Sequence, residues 1–313
     1  MTAPPPPPAL EVPERASGRR VDLFVSEALG LSRAKVKRLF EEGAVRVDGR
    51  AARKGDLLRA GQRVEVAGEA LDRGPPLQPE PSAPLSILHE DAELVFADKP
   101  AGWPSHPLQP GETGTVANAL VARYPECAAV SDDPREGGLC HRLDVQTSGV
   151  LLAARTRAAW EAMRGAFSGE GADADKRYWA AVQGPIADEG EIDLPLRHHG
   201  DRVEPAVGGE GARPARSDFR VLCRSGDAAL VEVRIHTGVL HQVRAHLAAI
   251  GAPVLGDAPY GGRPLPGLSR FFLHARSLEV THPGTRRRLR VESPLPEELR
   301  GALARLGLAA PGS

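Results

Sequence analysis

The densest cluster of reactive side chains is His141-Arg142-Leu143-Asp144-Val145-Gln146-Thr147-Ser148-Gly149. Charged and hydroxyl groups crowd there into a turn directly before the apolar run Gly149 to Ala154. A carboxylate at Asp144 would sit at the mouth of a core, partly desolvated, and would need a cation to keep it ionised. Asp144 could also simply cap Thr147 or pair with Arg142, as acidic residues in turns often do. A second stretch is Thr237-Gly238-Val239-Leu240-His241-Gln242-Val243-Arg244. With a helix starting near Leu240, Arg244 falls about one turn on, beside the apolar stripe Leu240, Val243, Leu247 and Ile250. An Arg edging a core needs a carboxylate, and Asp144 is the natural one, held in a guanidinium–carboxylate fork. The alternative is an Arg that snorkels to solvent. Tyr178, in Lys176-Arg177-Tyr178-Trp179, opens a strand after a Gly/Asp-rich loop. It could stack on a base or be an ordinary strand residue.

Other chemistries fit less well. His241 and His246 stand five apart, on different helical faces, so they make no metal pair. There is no phosphate-cradling Gly-rich loop before Lys-Ser/Thr, no dinucleotide fingerprint and no nucleophile elbow. Cys127, Cys140 and Cys223 fit neither a disulfide framework nor a zinc site. No cofactor and no metal is expected.

Three elements must position these groups. Residues 1–18, with Pro4 to Pro8, read as a disordered polyproline tail. Residues 19–67 carry 12 basic and 7 acidic side chains in a chain whose net charge is -1. A basic module on a mildly acidic body suits a polyanionic partner. Its pattern is helix, helix, short strands. Ser32 is the candidate N-cap and Gly43 the stop. Val36, Leu39 and Phe40 share one face, with Arg33, Lys35, Lys37 and Arg38 opposite. Asp48-Gly49 marks a hairpin turn and Arg63 to Val66 alternates as a strand. Residues 68–84 hold five prolines and read as a linker. The body, 85–308, mixes short strands (Gly149 to Ala154, Tyr178 to Val182, Leu230 to Ile235) with helices (Thr156 to Phe167, and Leu240 until Gly251). This is an α+β pattern rather than regular βαβ alternation. No signal peptide or spanning apolar run is evident, so a cytoplasmic protein is expected, with a monomer as the default.

The module's Ser32-Arg33, its Gly43 to Gly49 run and Gly61-Gln62-Arg63-Val64 resemble the S4 RNA-binding domain. The body resembles the RluA-type branch of large-subunit ribosomal RNA pseudouridine synthases. The carriers are His141 to Gly149, Lys176 with Tyr178, and Thr237 to His246. They are flanked by Asp98-Lys99-Pro100-Ala101-Gly102, Gly256-Asp257 with Tyr260-Gly261, and Leu273-His274-Ala275. The resemblance implies a mixed, largely antiparallel sheet with flanking helices and a central cleft. It implies Asp144 as the essential carboxylate, Arg244 as its ion-pair partner and Tyr178 stacked on uracil. Arg142, His241 and Gln242, with the module's Arg33, Lys35, Lys37 and Arg38, would contact RNA. Val239-Leu240 stands where the family commonly has Arg-Thr, and Val145-Gln146 where it has Lys-Asp. The implied activity is isomerisation of uridine in structured RNA, ribosomal RNA being favoured over transfer RNA. Rivals are a non-catalytic RNA-binding or assembly factor and a base-excising glycosidase with the same carboxylate.

Overall fold

The computed structural model describes residues 9–29, 31, 33–67, 77–168, 173–200, 202–206, 208 and 211–311, with the backbone alone at 33–35 and 38. The chain divides into two compact units, Met1–Gly74 and Pro75–Ser313.

In the first unit a sheet of order β1-β4-β2-β3 is built from β1 (Ala9–Glu11), β2 (Val45–Val47), β3 (Arg50–Ala51) and β4 (Arg63–Val66). It packs with helices α1 (Val21–Ala28) and α2 (Arg33–Glu41). The apolar spacing in α2 buries Val36 and Leu39 against Val25, Val45 and Val64. α2 stops where expected. Gly43 takes φ 66°, and Ala44 N–H returns to Leu39 O at 2.8 Å. Asp48 and Gly49, both at positive φ, make the tight β2–β3 turn. One boundary is corrected. The tail was expected to run to Gly18, but β1 pairs with β4, and Val12 and Ala16 are buried in this unit's core. A few scattered apolar residues after a proline run are a weak signal, and it is the edge of β4 that gives Ala9 to Glu11 a strand partner. Pro4 to Pro8, Gly30 and Ser32 lie outside the described residues.

In the second unit, nine strands among the described residues form one sheet of order β5-β6-β7-β14-β8-β13-β12-β9, with β15 on β14. Its strands are β5 (Ser86–Glu90), β6 (Leu94–Lys99), β7 (Ser148–Ala154), β8 (Asp175–Gln183), β9 (Glu189–Asp193), β12 (Arg216–Ser225), β13 (Ala228–Ile235), β14 (Leu273–Thr281) and β15 (Arg288–Glu292). A separate hairpin joins β10 (Leu196–His199) and β11 (Arg202–Pro205). Every pairing in the large sheet is antiparallel except β7 with β14. The sheet is therefore mixed and largely antiparallel, as expected.

Alternation along β6 shows why both faces are covered. Val95 and Ala97 pack with α3 (Val116–Arg123) and α5 (Gln242–Ala249), whereas Leu94 and Phe96 pack with α4 (Arg157–Phe167). On that second side α6 (Glu297–Leu306) covers Trp179 and Leu230. α4 is capped by the Thr156 side chain, as its sequence suggests.

The expected linker 68–84 is also corrected. Residues 68–76, with Pro75 and Pro76, lie outside the described residues, but 77–84 belong to the second unit. Leu77 is buried in its core. Asn118, in α3, donates its side-chain amide to Gln78 O at 2.8 Å and accepts Glu80 N–H on its backbone carbonyl at 3.1 Å. Proline excludes helix here, but it does not exclude docking along a helix end.

Candidate active site

The parallel register fixes the site. Because β7 and β14 run the same way, Ser148 and His274 lie side by side at their starts. Tyr178 of antiparallel β8 sits beside Ala275 at the same level. The turn carrying Asp144 precedes β7 at that end. At Gly149 the two backbones approach so closely that a Cβ would stand 2.2 Å from Ala275 O, and φ is 116°, so only glycine fits.

Two buried cations stake the turn from beneath. Lys99, fully buried at the end of β6, donates to Pro100 O (3.0 Å), Val145 O (2.9 Å) and Thr147 O (2.8 Å). Arg270 donates to Gln146 O (2.9 Å), Leu273 O (3.1 Å) and Ser148 Oγ (2.9 Å), and its Nε reaches Glu298 at 2.8 Å. Burial, followed by Arg270's charge, pushes the Lys99 amine down to about 7, with Asp144 opposing. Burial lowers Arg270 as well. Ser105 closes the other side, exchanging hydrogen bonds with Leu143 N–H and C=O at 3.0 Å each. Thr147 N–H is spent on the Asp144 backbone carbonyl at 3.0 Å, which leaves the carboxylate free of the turn.

That carboxylate meets Arg244. Nη1 donates to Asp144 Oδ2 at 3.1 Å across 100 residues of sequence. The expected fork between the two is not formed. Arg244 gives its fork instead to Asp257, Nε to Oδ2 at 2.7 Å and Nη2 to Oδ1 at 2.8 Å. Asp257 is fully buried, and the guanidinium lies 4.3 Å from the Phe271 ring centroid and 4.8 Å from that of Tyr260. Asp144 remains 19% exposed while its partner is 7% exposed, so one carboxylate edge faces outward over a cation held from behind. Asp257 was visible only as a flanking motif, since a Gly-Asp pair before a turn carries no chemical signal of its own.

Tyr178 is buried, and its hydroxyl is pushed up, first by burial and then by the Asp144 charge. Asp144, Arg244 and Tyr178 therefore converge. Arg142, next to this cluster, is exposed. His241 stands with Nε2 3.9 Å from Asp144 Oδ1. Gln242 does something other than expected. It is buried, accepts from Thr237 Oγ1 (2.8 Å) and Val239 N–H (3.1 Å), and donates to Arg216 O (2.9 Å) and Ser217 Oγ (3.0 Å). Its amide is spent tying the loop before α5 to β12, which offers nothing to RNA. That same loop delays α5, which begins at Gln242 rather than Leu240. His141 is structural too. It accepts Leu152 N–H at 3.1 Å and stacks on Phe167, and burial pushes it down to about 3. Among the described basic-helix side chains, Lys37 is exposed and pairs with Glu41 at 3.4 Å, while those of Arg33, Lys35 and Arg38 lie outside the described residues.

Among the described residues no group of three or more His, Cys, Asp or Glu is placed to hold a metal ion, and no helix is long and apolar enough to cross a membrane.

An outward carboxylate over a buried cation, an aromatic beside it and a mixed central sheet define a class, and the comparisons agree with it. Residues 93–249 match the RNA pseudouridylate synthase family. The chain belongs to that family, in its RluA-type branch, and is an RNA pseudouridine synthase, an isomerase acting on RNA. It is 36% identical over 310 residues to ribosomal large subunit pseudouridine synthase D of Xanthomonas campestris, covering 94% of this chain and 91% of that one. It is 40% identical over 302 residues to an RNA pseudouridine synthase of Chloroflexus aurantiacus, covering 94% and 92%. Among solved structures, human RNA pseudouridylate synthase domain containing 4 superposes with a TM-score of 0.57 at 26% identity, over 78% of this chain and 97% of that one.

Proposed function

We propose that Asp144 carries the isomerisation and that the substrate is large-subunit ribosomal RNA. The observation that carries the first part is the Asp144–Arg244–Asp257 chain, which holds one carboxylate paired, oriented and partly open. Pseudouridine formation breaks the C1′–N1 bond of uridine, turns the uracil and joins C1′ to C5, the C5 proton leaving and a proton returning to N1. Atoms balance without a co-reactant, so one carboxylate serves, either attacking C1′ or taking the 2′ proton. The detached uracil must stay caged, and Tyr178 is the stacking partner at the right level of the sheet. The target nucleotide leaves its helix at a cost of about a few kcal/mol, and exposed Arg142 is placed to enter the vacated stack.

The S4-like unit, with Arg33, Lys35, Lys37 and Arg38 on α2, supplies salt-sensitive backbone affinity. The name of the relative from Xanthomonas campestris supports ribosomal over transfer RNA. Asp144→Asn should fold, bind RNA and lose more than about 100-fold in tritium release from [5-³H]uridine-labelled large-subunit ribosomal RNA. Wild-type release from that variant would end the assignment, and free uracil as the product would indicate a glycosidase.

A further inference from the structure

His241 holds a left-handed backbone conformation that is uncommon for any residue with a side chain. It sits at φ 51°, directly before α5. Such strain persists where the surroundings over-determine it, and here they do. Its Nδ1 lies 3.1 Å from Tyr260 Oη, and Tyr260 Oη accepts Val203 N–H at 3.0 Å. Tyr260 belongs to the same turn as Asp257, its N–H bonded to Asp257 O at 3.0 Å, and its ring lies against Arg244. The imidazole is therefore gripped from one side, edge-on to the Tyr260 ring.

The grip selects a tautomer. The Nε2 edge faces Asp144, and an ionised carboxylate only accepts hydrogen bonds. A lone pair aimed at it would be repelled, so Nε2 carries the proton. Nδ1 then accepts, and the Tyr260 hydroxyl, whose oxygen already receives Val203 N–H, donates to it. Burial lowers the His241 pKa against the opposing charge of Asp144, with Arg244 and Arg142 adding to the lowering and Asp257 opposing it. In that tautomer the ring aims one N–H at the site.

That N–H does not bond Asp144, since 3.9 Å is too long. Two polar atoms at that separation can, however, both be reached by one hydroxyl oxygen at about 2.8 Å from each. In a polymeric nucleotide the 3′ and 5′ oxygens are esterified. The hydroxyl left free is the 2′-OH, carried on C2′ and next to C1′, the two carbons at which the proposed Asp144 chemistry takes place. We propose that His241 donates Nε2–H to the 2′-hydroxyl of the target nucleotide, which donates in turn to Asp144, so that the pair reads ribose and sets the sugar against the carboxylate. The role rests on Asp144 acting at C1′ or C2′, and it makes this residue a contact that distinguishes RNA from DNA at the reacting position.

The test pairs an enzyme change with a substrate change. The probe is a synthetic RNA stem-loop spanning a uridine that the wild-type protein converts in unmodified large-subunit ribosomal RNA. It is made with either ribose or 2′-deoxyribose at that one position. His241→Asn suits the left-handed backbone but is too short to place a donor at Nε2. It should slow single-turnover conversion of the ribose probe about 10-fold or more, and of the deoxy probe by less than about 2-fold. Tyr260→Phe, which frees the ring, should give a smaller loss with the same ribose-only pattern. Equal losses on both probes, or no loss on either, overturn the ribose contact. Product from Asp144→Asn would instead overturn the reading on which it rests, so the two failures are separable.

Discussion

The two sides of the turn that carries Asp144 keep buried cations in different ways. On the α5 side, Arg244 has a fully buried carboxylate of its own, Asp257, in a two-point fork, and lends one further N–H to Asp144. On the β6 side, Lys99 has three carbonyl oxygens and no carboxylate within hydrogen-bond distance, and Arg270 has carbonyls, a serine and a half-exposed Glu298. The pKa directions follow the partners. Asp257 and Asp144 raise Arg244 against its burial, whereas burial prevails at Lys99 and Arg270. The guanidinium that meets Asp144 is thus held by two carboxylates, whereas the Lys99 amine is left to titrate near neutrality.

The largest effect should come from breaking the side held by carboxylates. Asp257→Asn leaves Arg244 buried with its main partner neutral, and unfolding in urea should show a loss of about 3–5 kcal/mol, with product formation falling in parallel. A loss under about 1 kcal/mol would mean that Asp144 alone holds the guanidinium. A middle effect is expected at Lys99. Lys99→Met orphans three carbonyls, at about 1–3 kcal/mol near pH 7. The sign of its pH dependence is specific. Below about 7 the amine is protonated whether folded or unfolded. From there to the ordinary 10.5, the unfolded chain keeps a proton that the folded chain has released, so this group's contribution to stability rises with pH. The wild-type advantage over Lys99→Met should widen from pH 6 to pH 9, and a constant gap across that range would remove the contrast between the two sides. The smallest effect belongs to Glu298→Gln. That carboxylate is 45% exposed, so solvent screening holds the cost below about 1 kcal/mol in the same urea assay, and activity should stay within about twofold.

Much of this architecture could be read from residues alone, and the exceptions have physical causes. Periodicity located β7, β8, β13 and α4 to within a few residues, because each buries a regular apolar face. Spacing alone left Asp144 and Arg244 open between a mutual pair and ordinary turn and surface roles, because either suits a charge at the edge of an apolar run, and the resemblance of the motifs around them singled them out. Asp257 was not legible, because which carboxylate takes the fork depends on how the turn after Val254 folds back on α5. Lys99 in Asp-Lys-Pro-Ala-Gly reads as a surface turn. Nothing local says that the turn before β7 will lay the carbonyls of Val145 and Thr147 over it. Gln242 was misread because a polar side chain next to His and Arg looks outward, whereas here it substitutes for backbone hydrogen bonds that the loop before α5 cannot make for itself.

Residues 77–84 have a practical bearing on how this enzyme can be cut. Leu77 fills a place among Ala117, Val121 and Gly137, and Glu80 holds Gly114 N–H at 2.7 Å just ahead of the Thr115 cap of α3. A shortened protein starting at the first strand of the large sheet would leave an apolar socket open against α3, whose Val116 and Ala117 N–H groups hold Pro104 O and Ser105 O. Ser105 fastens Leu143. Proline-rich chain that reads as disposable spacer here braces the helix that anchors the segment next to Asp144, and trimming should stop short of it.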